Sequence, residues 1–309
     1  VGSEMCIRDW DMRVAIGLFE RAIAADSSYA PAYGSIADAY AVPTGWDNDP
    51  GFGLGESARY AERALELDPT LAQAHSALAY VLMVRDLDFE ASDAEYVRAL
   101  ELDPNYATGH QWYADLLSGM DRHDEAIASA LRAEEIDPTM IIRWNVARAL
   151  FHAGRYGEAA ERARAVAAEG GSYSRSAHWI EFDALVELND YEALGQLDDS
   201  WMAESWPADW QDSVAILSAE SAAAARRYLA RTLDSTIPPE TPRTALVIAA
   251  AAYWAGVDSG AALDRLEALV DHPDRAWART EWFWMLQDPR FDELRDHPRF
   301  VELDARIRE

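Results

Sequence analysis

Residues 51–55, GFGLG, have the glycine density of a phosphate-cradling loop. Such a loop needs a strand before it and a helix after it. No alternating strand pattern precedes Gly51, so the segment reads as an ordinary loop. Beside it, Asp47, Asp49 and Glu56 offer oxygen ligands for calcium. The template requires ligands at its fifth and twelfth positions, and these fall on Gly51 and Ala58. The seven histidines form no HExxH motif, and there is no CxxC. Cys6 is the one cysteine, which rules out an internal disulfide. Close pairs of carboxylates are abundant and read as solvated helix faces. The sequence therefore predicts no catalytic residues, no metal site and no cofactor. Among the 12 tryptophans, Trp201, Trp206 and Trp210 form an aromatic group that could line a small-molecule pocket. A small-molecule sensor is accordingly the alternative reading of function.

Composition narrows the partners. Asp and Glu number 55 against 27 Lys and Arg, for a net charge of −28. All of the basic residues are Arg. A polyanion would be repelled, so nucleic acid and anionic membrane surfaces are disfavoured. The longest apolar run, Ala245–Gly256, is short of the roughly 20 residues a membrane span needs. With no secretory pattern at the start, a cytoplasmic location is expected. Residues 1–9, VGSEMCIRD, resemble translated adapter sequence and are set apart as a non-native or disordered leader, which marks the chain as a fragment.

What would position side chains is a repeat. Asp-Pro pairs stand at Asp68-Pro69, Asp103-Pro104 and Asp137-Pro138, so the prolines are 104 − 69 = 35 and 138 − 104 = 34 residues apart. Proline has no N–H and stops a preceding helix. Between the pairs, small or apolar residues recur in steps of four and three, which places them on one helix face: Ser57, Ala61 and Ala64, then Ser92, Tyr96 and Ala99, then Ala126, Ala130 and Ala133. His75 and His110 fall at equivalent positions of the first helices and read as packing residues.

A period near 34 with one helix pair per period is the signature that tetratricopeptide repeats (TPR) carry. The expected fold is all-α, a TPR-like right-handed superhelix of antiparallel helix pairs, an α-solenoid. Arg85–Ala168 further resembles the TPR tail of bacterial signalling proteins that carry a nucleotide cyclase, winged-helix or kinase domain. Asp86–Glu90, Arg98–Leu117 and Arg122–Ala126 carry that resemblance, as do Asp288–Phe291 and His297–Phe300. It implies a non-catalytic protein-interaction scaffold, the regulatory part of a larger protein.

The period predicts a regular array over 10–171, a long loop at 41–56, and degenerate helical pairs with a cap over 172–309. In this architecture the first helices line a concave wall. The repeat phase puts Gln73, Ser76, Tyr80 and Met83 there, then Thr108, Gln111 and Asp115, then Ile141, Trp144 and Arg148. Chaperone-binding repeats clamp a carboxylate with Lys and Asn. The matching positions here are Gly34 and Asp38, Ser76 and Tyr80, and Gln111 and Asp115, so that clamp is not expected. An acidic groove suits a neutral or basic protein or peptide segment.

Overall fold

The computed structural model describes residues 2–41, 53–171, 173–197, 226–227, 229–230, 251–252 and 255–309. Every regular element among them is helical, as expected. Most of the 41–56 loop and all of Trp201–Trp210 lie outside the described residues. None of the described helices is long and apolar enough to cross a membrane. The chain forms two compact units, Val1–Pro138 and Thr139–Glu309. The division thus falls at Asp137-Pro138, while the sequence period fades only at Gly171.

Unit 1 runs through α1 (Gly2–Ala25), α2 (Ala30–Ala41), α3 (Leu54–Leu67), α4 (Ala72–Val81), a π-helical turn (Leu82–Asp86), α5 (Phe89–Leu102), α6 (Ala107–Gly119) and α7 (His123–Ile136). Helix α1 takes in Gly2–Asp9, the segment set apart as a leader. Each helix packs on the next, and the first helices of successive pairs, α2, α4 and α6, also touch one another in order. Small residues permit this. Ala61, Ala64, Ala99, Ala126, Ala130 and Ala133 have no exposed surface.

The Asp-Pro pairs explain the helix ends. A residue before proline is pushed out of the helical region. Accordingly Asp68, Asp103 and Asp137 have φ of −143°, −136° and −140° and ψ of 97°, 93° and 97°. The freed carboxylates then close the turn. Asp68 Oδ1 accepts from the Thr70 N–H at 2.9 Å, and Asp103 Oδ1 from the Asn105 N–H at 3.0 Å. Asp26 does the same for Ser28 at 2.9 Å without a proline. His75 Nε2 and His110 Nε2 each lie 3.0 Å from the carbonyl of Pro69 and Pro104. Tyr33 makes the equivalent bond to Ser27 O at 3.2 Å. These are packing roles, as the repeat phase predicts.

The 35-residue interval also has a structural cause. At the turn after α6, the Arg122 N–H bonds back to Leu117 O at 2.9 Å. After α4 the equivalent bond reaches one residue further, from the Asp88 N–H to Leu82 O at 3.0 Å. The π-helical turn at Leu82–Asp86 absorbs the extra residue, so both flanking helix faces keep their register.

Unit 2 contains α8 (Met140–His152), α9 (Tyr156–Ala168), α10 (Ser174–Leu188), α11 (Tyr191–Leu194), α12 (Ser259–Val270), α13 (Arg275–Leu286), a 3-10 turn (Pro289–Phe291), α14 (Asp292–Arg295) and α15 (Pro298–Arg308). Asp288 caps the 3-10 turn by accepting from the Arg290 N–H at 3.0 Å. His297 caps α15 by accepting from Arg299 at 3.2 Å. Each motif then buries its aromatic, Phe291 and Phe300. Phe300 packs tilted against Trp282, with ring centroids 5.4 Å apart, and Trp282 Nε1 donates to Asp304 at 2.8 Å.

Candidate partner-binding surface

The predicted wall residues of unit 1 come from α4, the π-helical turn and α6, with α2 beside them. The structure does not leave them open. Ser76, Tyr80, Met83, Gln111 and Asp115 are buried, and only Gln73 and Thr108 are half-buried. Bulky aromatics fill this wall. The Tyr80 ring lies 4.7 Å from that of Trp112, a residue the repeat phase did not assign to the surface. At Gly34 a Cβ would meet the side-chain ends of Leu71 at 2.9 Å and Gln73 at 3.3 Å. A larger residue there would have to displace those two side-chain ends.

Asp38 of α2 is the polar centre of this wall. It occupies the same repeat position as Tyr80 and Asp115, and that shared position was the signal that could have placed it in the site. Its Oδ2 accepts from Gln73 Nε2 and from the Tyr106 hydroxyl, both at 2.6 Å. Burial pushes its carboxyl up to about 7, against the two hydrogen bonds that favour the ionised form. Tyr96 of α5 is fully buried and within electrostatic reach of Tyr80, Asp115 and Asp38. Burial raises its hydroxyl well above the ordinary tyrosine value.

In unit 2, α8 starts two residues after Pro138, where α4 and α6 start three after their prolines (72 − 69 and 107 − 104). This one-residue shift sets the phase that brings Ile141, Trp144 and Arg148 onto one face. All three are half-buried. The Arg148 guanidinium lies 4.4 Å from the Trp144 ring and 4.8 Å from the Trp284 ring. Trp144 also lies tilted against Tyr173, with ring centroids 5.6 Å apart, and packs against Val166, Ala167 and Ala177. Trp144 is therefore as much a core residue as a surface one.

At the glycine loop, Gly53 caps α3 and presses on α2. A Cβ there would sit 2.1 Å from the Tyr40 carbonyl oxygen. That close approach accounts for a glycine at this position. Glu56, once a candidate calcium ligand, pairs with Arg59.

Residues 107–140 match the family described as "Tetratricopeptide repeat". A comparison with curated protein sequences finds no match. Among solved structures, the chain is similar to YrrB, described as a TPR protein with an unusual peptide-binding site, at 17% identity, over 68% of this chain and 97% of that one, with a TM-score of 0.43. It is similar to pilF of Pseudomonas aeruginosa at 17% identity, over 91% and 98%, with a TM-score of 0.46. It is similar to yeast Tom70 at 15% identity, over 96% of this chain and 62% of that one, with a TM-score of 0.44.

Proposed function

We propose that this chain, whose residues 107–140 are a tetratricopeptide repeat, is a non-catalytic interaction module that holds a partner's peptide segment along its first helices. The observation that carries the reading is the convergence on one wall of side chains from three successive first helices, with Gln73 and Thr108 at its accessible edge. In unit 2, taken by itself, Ile141, Trp144 and Arg148 share one face of α8 and form a contact surface of that unit. A Trp–Arg pair is a common interface anchor. The net charge of −28 favours a neutral or basic segment. By its resemblance to signalling proteins, the module serves a larger bacterial cytoplasmic regulator, upstream of which an output domain belongs.

Panning a randomised peptide library on the full chain tests this. Recovered peptides are expected to bind one per chain, and to weaken about tenfold when Gln73→Ala and Thr108→Ala are combined. Binding that survives this change and Arg148→Ala in a folded protein would move the contact off the first helices.

A further inference from the structure

Helices α1, α3, α5 and α7 are the second helices of unit 1. They share one sequence phase, so their faces compare position by position. On α3, the Tyr60 ring lies against the first helix of its own pair, 6.2 Å from the Tyr33 ring and 5.9 Å from the Tyr40 ring of α2. Further along (71 − 60 = 11), Leu71 reaches Gly34 of that same helix, where a Cβ would meet it at 2.9 Å. On α5 the matching positions are Glu95, 2.6 Å from His75 Nδ1 of α4, and Tyr106, which is half-buried. On α7 the match to Tyr60 is Ser129, which donates to His110 O of α6 at 2.9 Å. In each case a first helix covers the position.

On α1 the two positions are Leu18 and Tyr29 (29 − 18 = 11), and they are 56% and 49% exposed. Val14, one turn before Leu18, is 44% exposed, where α3 and α7 have the charged Glu56 and Glu125. Ala15, Phe19 and Ala22 behind them are half-buried, whereas Ser57, Ala61 and Ala64 of α3 have no exposed surface. Single exposed apolar residues are ordinary, but a group that is covered in the other repeats marks an interaction surface. We infer that Val14, Leu18 and Tyr29 form a docking surface for one amphipathic helix of a partner protein, seated on α1 as α2 is seated on α3. The repeat states the chemistry of that helix. It carries a small residue opposite Tyr29, as Gly34 stands opposite Leu71. It carries uncharged, bulky residues opposite Leu18, as Tyr33 and Tyr40 flank Tyr60. Its pattern is thus a bulky residue, a small one directly after it, and a second bulky one six further on (40 − 34 = 6). This is helix-in-groove recognition, separate from the wall edged by Gln73 and Thr108.

The α2 sequence itself, residues 30–41, is the probe, because α2 covers the equivalent face of α3. A 12-residue helix is marginal alone, so the peptide is stapled, and it carries a fluorophore for polarisation. It should bind the full chain at one site, and about tenfold weaker to Leu18→Asp or Tyr29→Asp. Both residues are exposed, so these variants should keep the fold, which circular dichroism checks. A peptide carrying Gly34→Leu should bind the parent chain about tenfold weaker. Equal binding to the parent and both variants, loss of binding in Gln73→Ala instead, or no binding at all would overturn the surface. A parent chain that sediments as a dimer, and as a monomer in Leu18→Asp, would place a second copy there and overturn the partner helix.

Discussion

In unit 2 the buried carboxylates meet arginines. Glu181, with a side chain 2% exposed, accepts from Arg164 at 2.7 Å, and Glu187 accepts from Arg226 at 2.7 Å. Asp288 and Asp183 share the guanidinium of Arg290 at 2.6 and 3.2 Å. In unit 1 Asp38 is held by an amide and a phenol. The same physical cost, burying a charge, is thus met in two ways. Where arginine is present, the carboxylate serves the fold. At Asp38 the carboxyl is pushed up and Oδ1 has no hydrogen-bond partner. Glu187, although paired with Arg226, is also raised by burial and keeps an unpartnered Oε1, whereas Arg290 holds Asp288 below its ordinary value. What sets Asp288 apart is a guanidinium that outweighs its burial, which neither Asp38 nor Glu187 has in equal measure.

The largest effect should come from breaking the arginine network. Burial works to raise Asp288, but Arg290 outweighs it and holds the carboxyl below its ordinary value. Arg290→Met removes that partner from Asp288 and Asp183 together. Breaking a buried pair from one side costs roughly 3–5 kcal/mol. Urea unfolding followed by tryptophan fluorescence measures this. A loss below about 1 kcal/mol would mean that the two units do not differ as described.

The converse change in unit 1 should stabilise. Asp38 has a folded value of about 7 against an ordinary 3.8. Between these values the folded carboxyl keeps a proton that the unfolded one has released. Its contribution is therefore fully present below the unfolded value and is lost as pH rises through 7. Asp38→Asn should raise stability at pH 8 by roughly 2–4 kcal/mol and by little at pH 4. His75, raised chiefly by its hydrogen bond to Glu95, follows the same direction, so the difference between variant and parent is the quantity to read. Equal melting curves at pH 8 would show Asp38 to be as well compensated as Asp288.

A smaller effect tests whether the unit 2 wall is bound together by charge or by packing. Arg148 lies over two indole rings. A double-mutant cycle of Arg148→Leu with Trp284→Leu should give a coupling of about 0.5–2 kcal/mol. A coupling near zero would reduce Arg148 to a stem packed on the rings.

Much of the fold was legible because proline and small residues act locally. The Asp-Pro pairs fix both the end of one helix and the spacing to the next, and Ala61, Ala99 and Ala130 mark the buried face by size alone. The site was less legible. Repeat phase tells which helix face a residue occupies, but not how far large neighbours such as Trp112 close that face. Hence Ser76, Tyr80, Met83, Gln111 and Asp115 have the predicted position and not the accessibility of an open groove. Asp38 was visible at its register position, yet its burial depends on Gln73 of α4 and on Tyr106, 68 residues away. The 35-residue interval held the π-helical turn in plain view, but spacing alone does not say where an extra residue is stored.

The smallest predicted effects compare the turns that join the helices of each pair. A left-handed residue recurs there: Leu87 at φ 53° and Asp121 at φ 58° in unit 1, Gly154 at φ 69° and Asn189 at φ 56° in unit 2. They are 121 − 87 = 34, 154 − 121 = 33 and 189 − 154 = 35 residues apart, so the turn is a property of the repeat. An L side chain in this region brings its Cβ close to the next carbonyl. At Gly154 a Cβ would meet nothing within 4 Å, which leaves backbone conformation as the sole cost. Gly154→Ala should therefore destabilise unit 2 by about 1 kcal/mol. Asp121→Gly should stabilise unit 1 by about 0.5 kcal/mol, because the glycine's extra freedom when unfolded offsets part of the relief. Thermal unfolding of the pair reads opposite signs from one turn geometry. Shifts of the same sign would show that these turns are set by their neighbours rather than by φ.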